Sequence, residues 1–155
     1  MVAALFLFAV AGAGLYHMSQ PRAPQSENRF KRDRLEIVTA GGKRSLEIEL
    51  AETPDQHRQG LMFRTGLAEN TGMLFVYEKP DEVRMWMKNT FIPLDMVFIR
   101  SDGTIHRIEA HTVPHSERVI DSSGPVTGVL EIAGGAAERL GLKPGDKVVH
   151  PHFKP

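Results

Sequence analysis

The chain has 155 residues, no cysteine, and 19 basic side chains against 19 acidic ones. That length suits one domain plus an appendage, large enough to bury a core without covalent staples. The even charge offers no basic field for nucleic acid or a polyanionic substrate, and the lack of Cys excludes disulfides, thiolate catalysis, Cys-ligated zinc, iron–sulfur clusters and a lipoprotein-type anchor.

Residues 1–18 read as a signal peptide or an N-terminal membrane anchor. From 2 to 16 there is no charge, and Ala, Val, Leu and Phe predominate. The run is shorter than the roughly 20 residues of a spanning helix. Ala11-Gly12-Ala13 has the small-x-small form of a cleavage site, yet no Lys or Arg precedes the apolar run, so cleaved and uncleaved forms both stay open. The alternative is a buried core helix, but the next stretch is no partner for one. Residues 19–34 carry Pro21, Pro24 and the basic Arg29, Lys31 and Arg32, and read as a flexible linker. Residues 35–155 then form a single globular domain. This order implies a periplasmic or extracytoplasmic protein, released or tethered to the inner membrane. No internal repeat is visible.

Two strands open the domain, 35–40 and 45–50, joined through Gly41-Gly42-Lys43. The second alternates: Leu46, Ile48 and Leu50 face one way, Glu47 and Glu49 the other. Thr53 is the expected N-cap of a short helix, with Pro54 at its first position and Gln56 closing a capping box. Gly60 follows, marking a helix end or a close backbone approach. Residues 73–77 predict a buried strand, Glu78-Lys79-Pro80-Asp81 a turn, and 83–88 the next strand. Parity puts Val83, Met85 and Met87 on one face and Arg84, Trp86 and Lys88 on the other. After a turn over 89–93, residues 94–100 continue as a strand, with Leu94, Met96 and Phe98 opposite Asp95, Val97 and Ile99. Asp102-Gly103 is a strong hairpin signal, 104–110 the return strand, and 111–125 a long loop. Residues 126–132 make a strand containing Glu131, 134–140 a second short helix ended by Gly141, and 147–150 a last strand. About eight short strands and two short helices predict a mainly β domain, a compact barrel or sandwich.

Chemistry concentrates in residues 85–95, which hold the only Trp and interleave Lys, Asn, Thr and Asp with apolar side chains. One reading is a pocket: Lys88 and Asn89 donate hydrogen bonds, Thr90 lines the site, Asp95 accepts a proton or hydrogen bond, and Trp86 stacks. The other is a structural network in which Lys88 pairs Asp95 across the turn. Arg58, Arg64 and Glu131 are further candidates for the pocket, although arginines usually sit on the surface. His111 and His115 have helix-type metal spacing, but Pro114 lies between them, and no metal or cofactor is expected. Methionines 62, 73, 85, 87 and 96 could offer thioethers to Cu(I), but along apolar strands they serve more often as core filler. No nucleophile elbow, phosphate-binding glycine loop or dinucleotide fingerprint is present.

The run Arg58-Gln59-Gly60-Leu61-Met62-Phe63-Arg64, then Gly72-Met73-Leu74-Phe75, then Trp86-Met87-Lys88-Asn89-Thr90-Phe91-Ile92-Pro93-Leu94-Asp95 resembles the domain-of-unknown-function 192 family (uncharacterised protein family 0127). Val129-Leu130-Glu131-Ile132 and Leu142-Lys143-Pro144-Gly145-Asp146 look like its C-terminal part. The resemblance runs from about Leu35 to Val149. It implies a compact, mainly β domain, often exported or membrane-tethered, and no established activity. Three functions are carried forward. The first is binding of a small polar ligand in a pocket around residues 86–95. The second is a hydrolase or lyase with Asp95 as base and Lys88 as electrostatic stabiliser. The third is a cell-envelope interaction module with an exposed apolar patch away from the pocket. The partner in the first is an unknown small polar molecule; the membrane is a partner only through the N-terminal segment.

Overall fold

The computed structural model describes residues 29–154. The expected signal or anchor segment and residues 19–28 of the expected linker lie outside these residues. Seven strands and two short helices follow in the order β1 (Lys31–Thr39), β2 (Gly42–Ala51), α1 (Pro54–Gln59), β3 (Thr71–Met85), β4 (Leu94–Ile99), β5 (Ile105–Glu109), β6 (Ile120–Ala133), α2 (Ala136–Leu140) and β7 (Lys147–Val149). The strands form one sheet in the order β5-β4-β6-β3-β2-β1-β7, curled into a half-barrel.

The two edges of the sheet approach each other. Thr104, just before β5, bridges to Lys147 at the start of β7. The Ile105 N–H donates to the Asp146 carbonyl at 2.9 Å, and the Val148 N–H to Gly103 at 2.8 Å. Lys147 Nζ donates to Asp102 Oδ2 at 2.9 Å and to Thr104 Oγ1 at 2.7 Å. Hydrogen bonds from Thr104 and then Lys147 hold the Asp102 carboxyl well below the usual carboxylate range. This clasp hides edge groups that would otherwise pair with other chains.

Local signals placed several elements. The Thr53 hydroxyl accepts from the Gln56 N–H at 3.2 Å, and the Gln56 side chain accepts from the Thr53 N–H at 3.1 Å, completing the capping box. Gly103 takes the positive φ of 83° that the Asp102-Gly103 turn requires.

Two boundaries move. β1 starts at Lys31, because residues 31–34 pair with 47–50 of β2, so the linker ends earlier than 34. The expected strands 73–77 and 83–88 are one strand, β3, which makes seven strands rather than eight. The segment Glu78–Asp81 does not reverse the chain. Its partner β6 runs on alongside: Val76 sits opposite Gly128 and Asp81 opposite Val126, so the extra residues are absorbed as a bulge. Pro80 lies in that bulge, where it opposes no ladder partner. For the same reason β6 begins at Ile120, and residues 120–125 of the expected 111–125 loop are strand.

The sheet buries a core on each face. One contains Leu35, Leu46, Ile48, Leu74, Val97, Leu130 and Ile132, covered by Ala136, Ala137 and Phe153. The opposite one contains Met73, Phe75, Met87, Met96, Phe98 and Val129. It is covered by the crossover of residues 52–70, which joins the parallel pair β2 and β3 and contributes Leu61 and Leu67. Ile92, from the stretch after β3, also packs there. The candidate site lies on this second face.

Candidate functional site

A cavity of about 320 Å³ opens where α1 and the crossover meet the bulged half of β3. His57, Gly60, Leu61 and Met62 line it from the crossover, Phe75, Tyr77, Val83 and Met85 from β3, Trp86 and Thr90 from the following stretch, and Glu131 from β6. That size is at the small end of ligand pockets.

Glu131 decides its character. Its neighbours across the ladder are Met73 on β3 and Met96 on β4, both fully buried. Glu131 is itself only 4% exposed, and no hydrogen bond or salt bridge is formed by its carboxyl with any described residue. Burial alone pushes its pKa up to about 8, because a carboxylate removed from water without a partner is strongly disfavoured. At neutral pH the group is held mainly as the acid, able to donate one hydrogen bond and accept others.

Around it the walls are aromatic and thioether. The His57 ring lies 4.8 Å from Tyr77 and 5.8 Å from Phe75, centroid to centroid. His57 Nε2 is 2.9 Å from the Ala51 carbonyl. It must carry its proton there, since the carbonyl can only accept. Tyr77 Oη donates to Met85 Sδ at 3.8 Å, and burial followed by the nearby Glu131 raises its pKa above the ordinary phenol. Gly60 ends α1 at φ 45°, and a Cβ there would stand 3.0 Å from Phe75 Cζ. The glycine thus serves both as helix end and as the close approach that brings the crossover onto β3.

The sequence-predicted residues divide. Trp86 (47% exposed), Thr90 and Glu131 line the cavity. Lys88 and Asn89 stand beside it: Lys88 Nζ lies 5.2 Å above the Trp86 ring and 3.8 Å from Glu117, and Asn89 Nδ2 is 4.0 Å from Met62 Sδ. Arg58 is exposed and pairs with Asp55 within α1. Arg64 pairs with Glu49 at 2.6 Å in a separate groove of about 310 Å³. Asp95 is not in the cavity. It is 0% exposed and faces the other core with Val97 and Ile99. Its Oδ1 accepts from the backbone N–H of His111 at 2.8 Å and of Gly135 at 3.0 Å, and Oδ2 accepts from Ala137 at 2.8 Å. The expected Lys88–Asp95 pair does not form, and a sealed, triply bonded Asp95 cannot serve as a general base with Lys88.

Sequence reasoning missed His57, Tyr77 and Phe75 as cavity residues. Gly60 was the one local signal pointing to them. Among the described residues no group of three or more His, Asp and Glu is placed to hold a metal. The imidazoles of His106, His150 and His152 instead contact Ser123 O, Asp33 and Thr127 O. Among the exposed apolar side chains, Phe63 and Phe91 follow the lining residues Met62 and Thr90 and pack edge-on at 5.9 Å; Val38, Val113, Val119 and Val149 are exposed elsewhere in the chain. Among the described residues no helix is long and apolar enough to cross a membrane.

No curated protein matches the chain. Among solved structures, it is similar to a candidate transcription regulator of Sinorhizobium meliloti 1021, with 49% identity over 77% of this chain and 94% of that one and a TM-score of 0.76. It is also similar to a protein of unknown function from Novosphingobium aromaticivorans DSM 12444, with 41% identity over 82% of this chain and 89% of that one and a TM-score of 0.77. Residues 36–150 match the family DUF192, described as "Uncharacterized ACR, COG1430", and the chain belongs to that family.

Proposed function

We propose that the domain binds a small amphipathic molecule in the cavity between the crossover and β3. The carrying observation is Glu131: a largely buried carboxyl with no hydrogen bond or salt bridge to a described residue, lining an aromatic and thioether cavity. A carboxyl that burial drives toward its neutral form, and that faces a cavity, marks a candidate ligand site. A ligand polar group would meet Glu131, and its apolar body would lie against Trp86, Tyr77 and Phe75. The reading differs from the sequence expectation in its polar anchor, which moves from Lys88 and Asp95 to Glu131. The uncharged N-terminal run supports the further proposal that the domain acts outside the cytoplasm; cell fractionation tests it, and recovery in the cytosol alone would sink it.

Trp86 is the sole tryptophan and lines the cavity, so its fluorescence reports occupancy. In a broad screen of small polar and amphipathic compounds, a binder is expected to shift Trp86 emission and raise the Tm of the full-length chain. Both effects should shrink in Glu131→Gln. A screen in which no compound moves either signal would remove the proposal.

A further inference from the structure

We infer that the cavity selects a small organic cation, a primary or secondary ammonium on an apolar or aromatic body, with Glu131 as its counter-ion; this rests on the reading of the cavity as a ligand site. Three observations converge. Glu131 is the cavity's buried ionisable carboxyl and forms no salt bridge with a described residue. Its surroundings include the aromatic rings of Phe75, Tyr77 and Trp86, whose faces attract cations. Finally, one of these rings already holds a cation: Lys88 Nζ sits 5.2 Å over the Trp86 ring.

An ammonium entering the cavity would convert a neutral acid into an ion pair. The Glu131 proton leaves to solvent, the carboxylate accepts N–H hydrogen bonds from the ligand, and the ligand keeps its own charge. Glu131 is the buried counter-charge: the other two lining carboxylates, Asp81 and Glu82, and Arg84 beside them are exposed. From α1, His57 Nε2 donates a hydrogen bond to the Ala51 carbonyl. From β3, Tyr77 is a phenol whose ionisation burial and then Glu131 disfavour. From β4, the neighbour across the ladder is Met96, which does not titrate. Binding should therefore release a proton at neutral pH. It should tighten as pH rises toward about 8, then weaken once the ligand amine itself deprotonates.

The test titrates the full-length chain with benzylamine, benzyl alcohol and benzoate. Trp86 fluorescence follows binding, and calorimetry in two buffers of different ionisation enthalpy counts protons. Benzylamine is expected to bind at least about tenfold more tightly than benzyl alcohol, with no response to benzoate. At pH 7 a substantial fraction of one proton should be released per benzylamine bound, because burial raises the pKa of Glu131. Glu131→Gln should abolish both the release and the preference, and Lys88→Ala, by removing a like charge at the rim, should leave benzylamine binding equal or tighter. The wild-type proton count stands even if Glu131→Gln fails to fold. If benzyl alcohol or benzoate binds as well as benzylamine, or benzylamine binds without proton release, the cation assignment falls while the cavity remains a ligand site. If none of the three probes moves Trp86 fluorescence and the broad screen is also silent, both readings fall.

Discussion

Asp95 and Glu131 are two buried carboxylates on neighbouring strands of one sheet, and they have opposite fates. Asp95 stands opposite Ile132, the residue next to Glu131, but on the other face of the sheet. There it receives three backbone N–H groups, from the loop at His111 and from the start of α2. Those donors would otherwise be orphaned by the positive-φ turn at His111 and by the helix start at Gly135. Glu131 receives none, and its acidity falls accordingly. The difference shows that burial by itself does not define a functional carboxylate. What the backbone offers to the carboxylate separates the two: Asp95, saturated by backbone N–H groups, is a structural pin, and Glu131, without such donors and facing the cavity, is the group on which the proposed function rests.

The sharpest way to break this contrast is Asp95→Ala. It leaves three buried N–H groups without their acceptor and should destabilise the domain by about 4 kcal/mol in urea unfolding. A loss below about 1 kcal/mol would contradict the role of pin. Glu131→Gln should do the reverse, and in a pH-dependent way. The folded pKa of Glu131 is raised to about 8, while the unfolded carboxyl titrates near its ordinary value of about 4.3. Between those values the unfolded chain ionises and the folded one keeps its proton, so native stability falls as pH rises through this window. Below it, Glu131 imposes no such penalty. Glu131→Gln should thus be near neutral at pH 4.5 and clearly stabilising at pH 9, read as the difference in unfolding free energy from wild type. A difference that does not change with pH would mean that Glu131 has a partner after all. The smallest effect should come from Lys88→Ala. Its side chain is substantially exposed and its contact with Glu117 is long, so the change should stay within about 0.5 kcal/mol by thermal melting. A larger loss would tie Lys88 to one of the two buried carboxylates.

Much of the fold was legible because it is locally encoded. The alternation in β2, the Thr53 to Gln56 capping box, the Asp102-Gly103 turn and the glycine that ends α2 all involve residues close in sequence. The turn signal at Glu78–Asp81 is just as local, and it lost to a competing interaction. β6 continues along both halves of β3 and converts an expected reversal into a bulge. Parity correctly separated Asp95 from Met96, since a strand's side chains alternate whatever surrounds it; it did not carry over to residues 86–88, because β3 ends at Met85, and Met85 and Trp86, expected on opposite faces, both line the cavity.

Trp86, Thr90 and Glu131 could be named from sequence, and Trp86 and Thr90 belong to the stretch where polar and apolar residues interleave. Alternation, turns and caps are encoded locally, and with them a mainly β domain of this family. The surroundings of the two carboxylates arise instead from tertiary packing. The partners of Asp95 lie 16, 40 and 42 residues away and are backbone groups that no side-chain pattern announces. The isolation of Glu131 likewise depends on what the crossover and β3 place, and fail to place, around it. Hydrogen-bond satisfaction is a property of three-dimensional surroundings, and so is the distinction between a pin and a site.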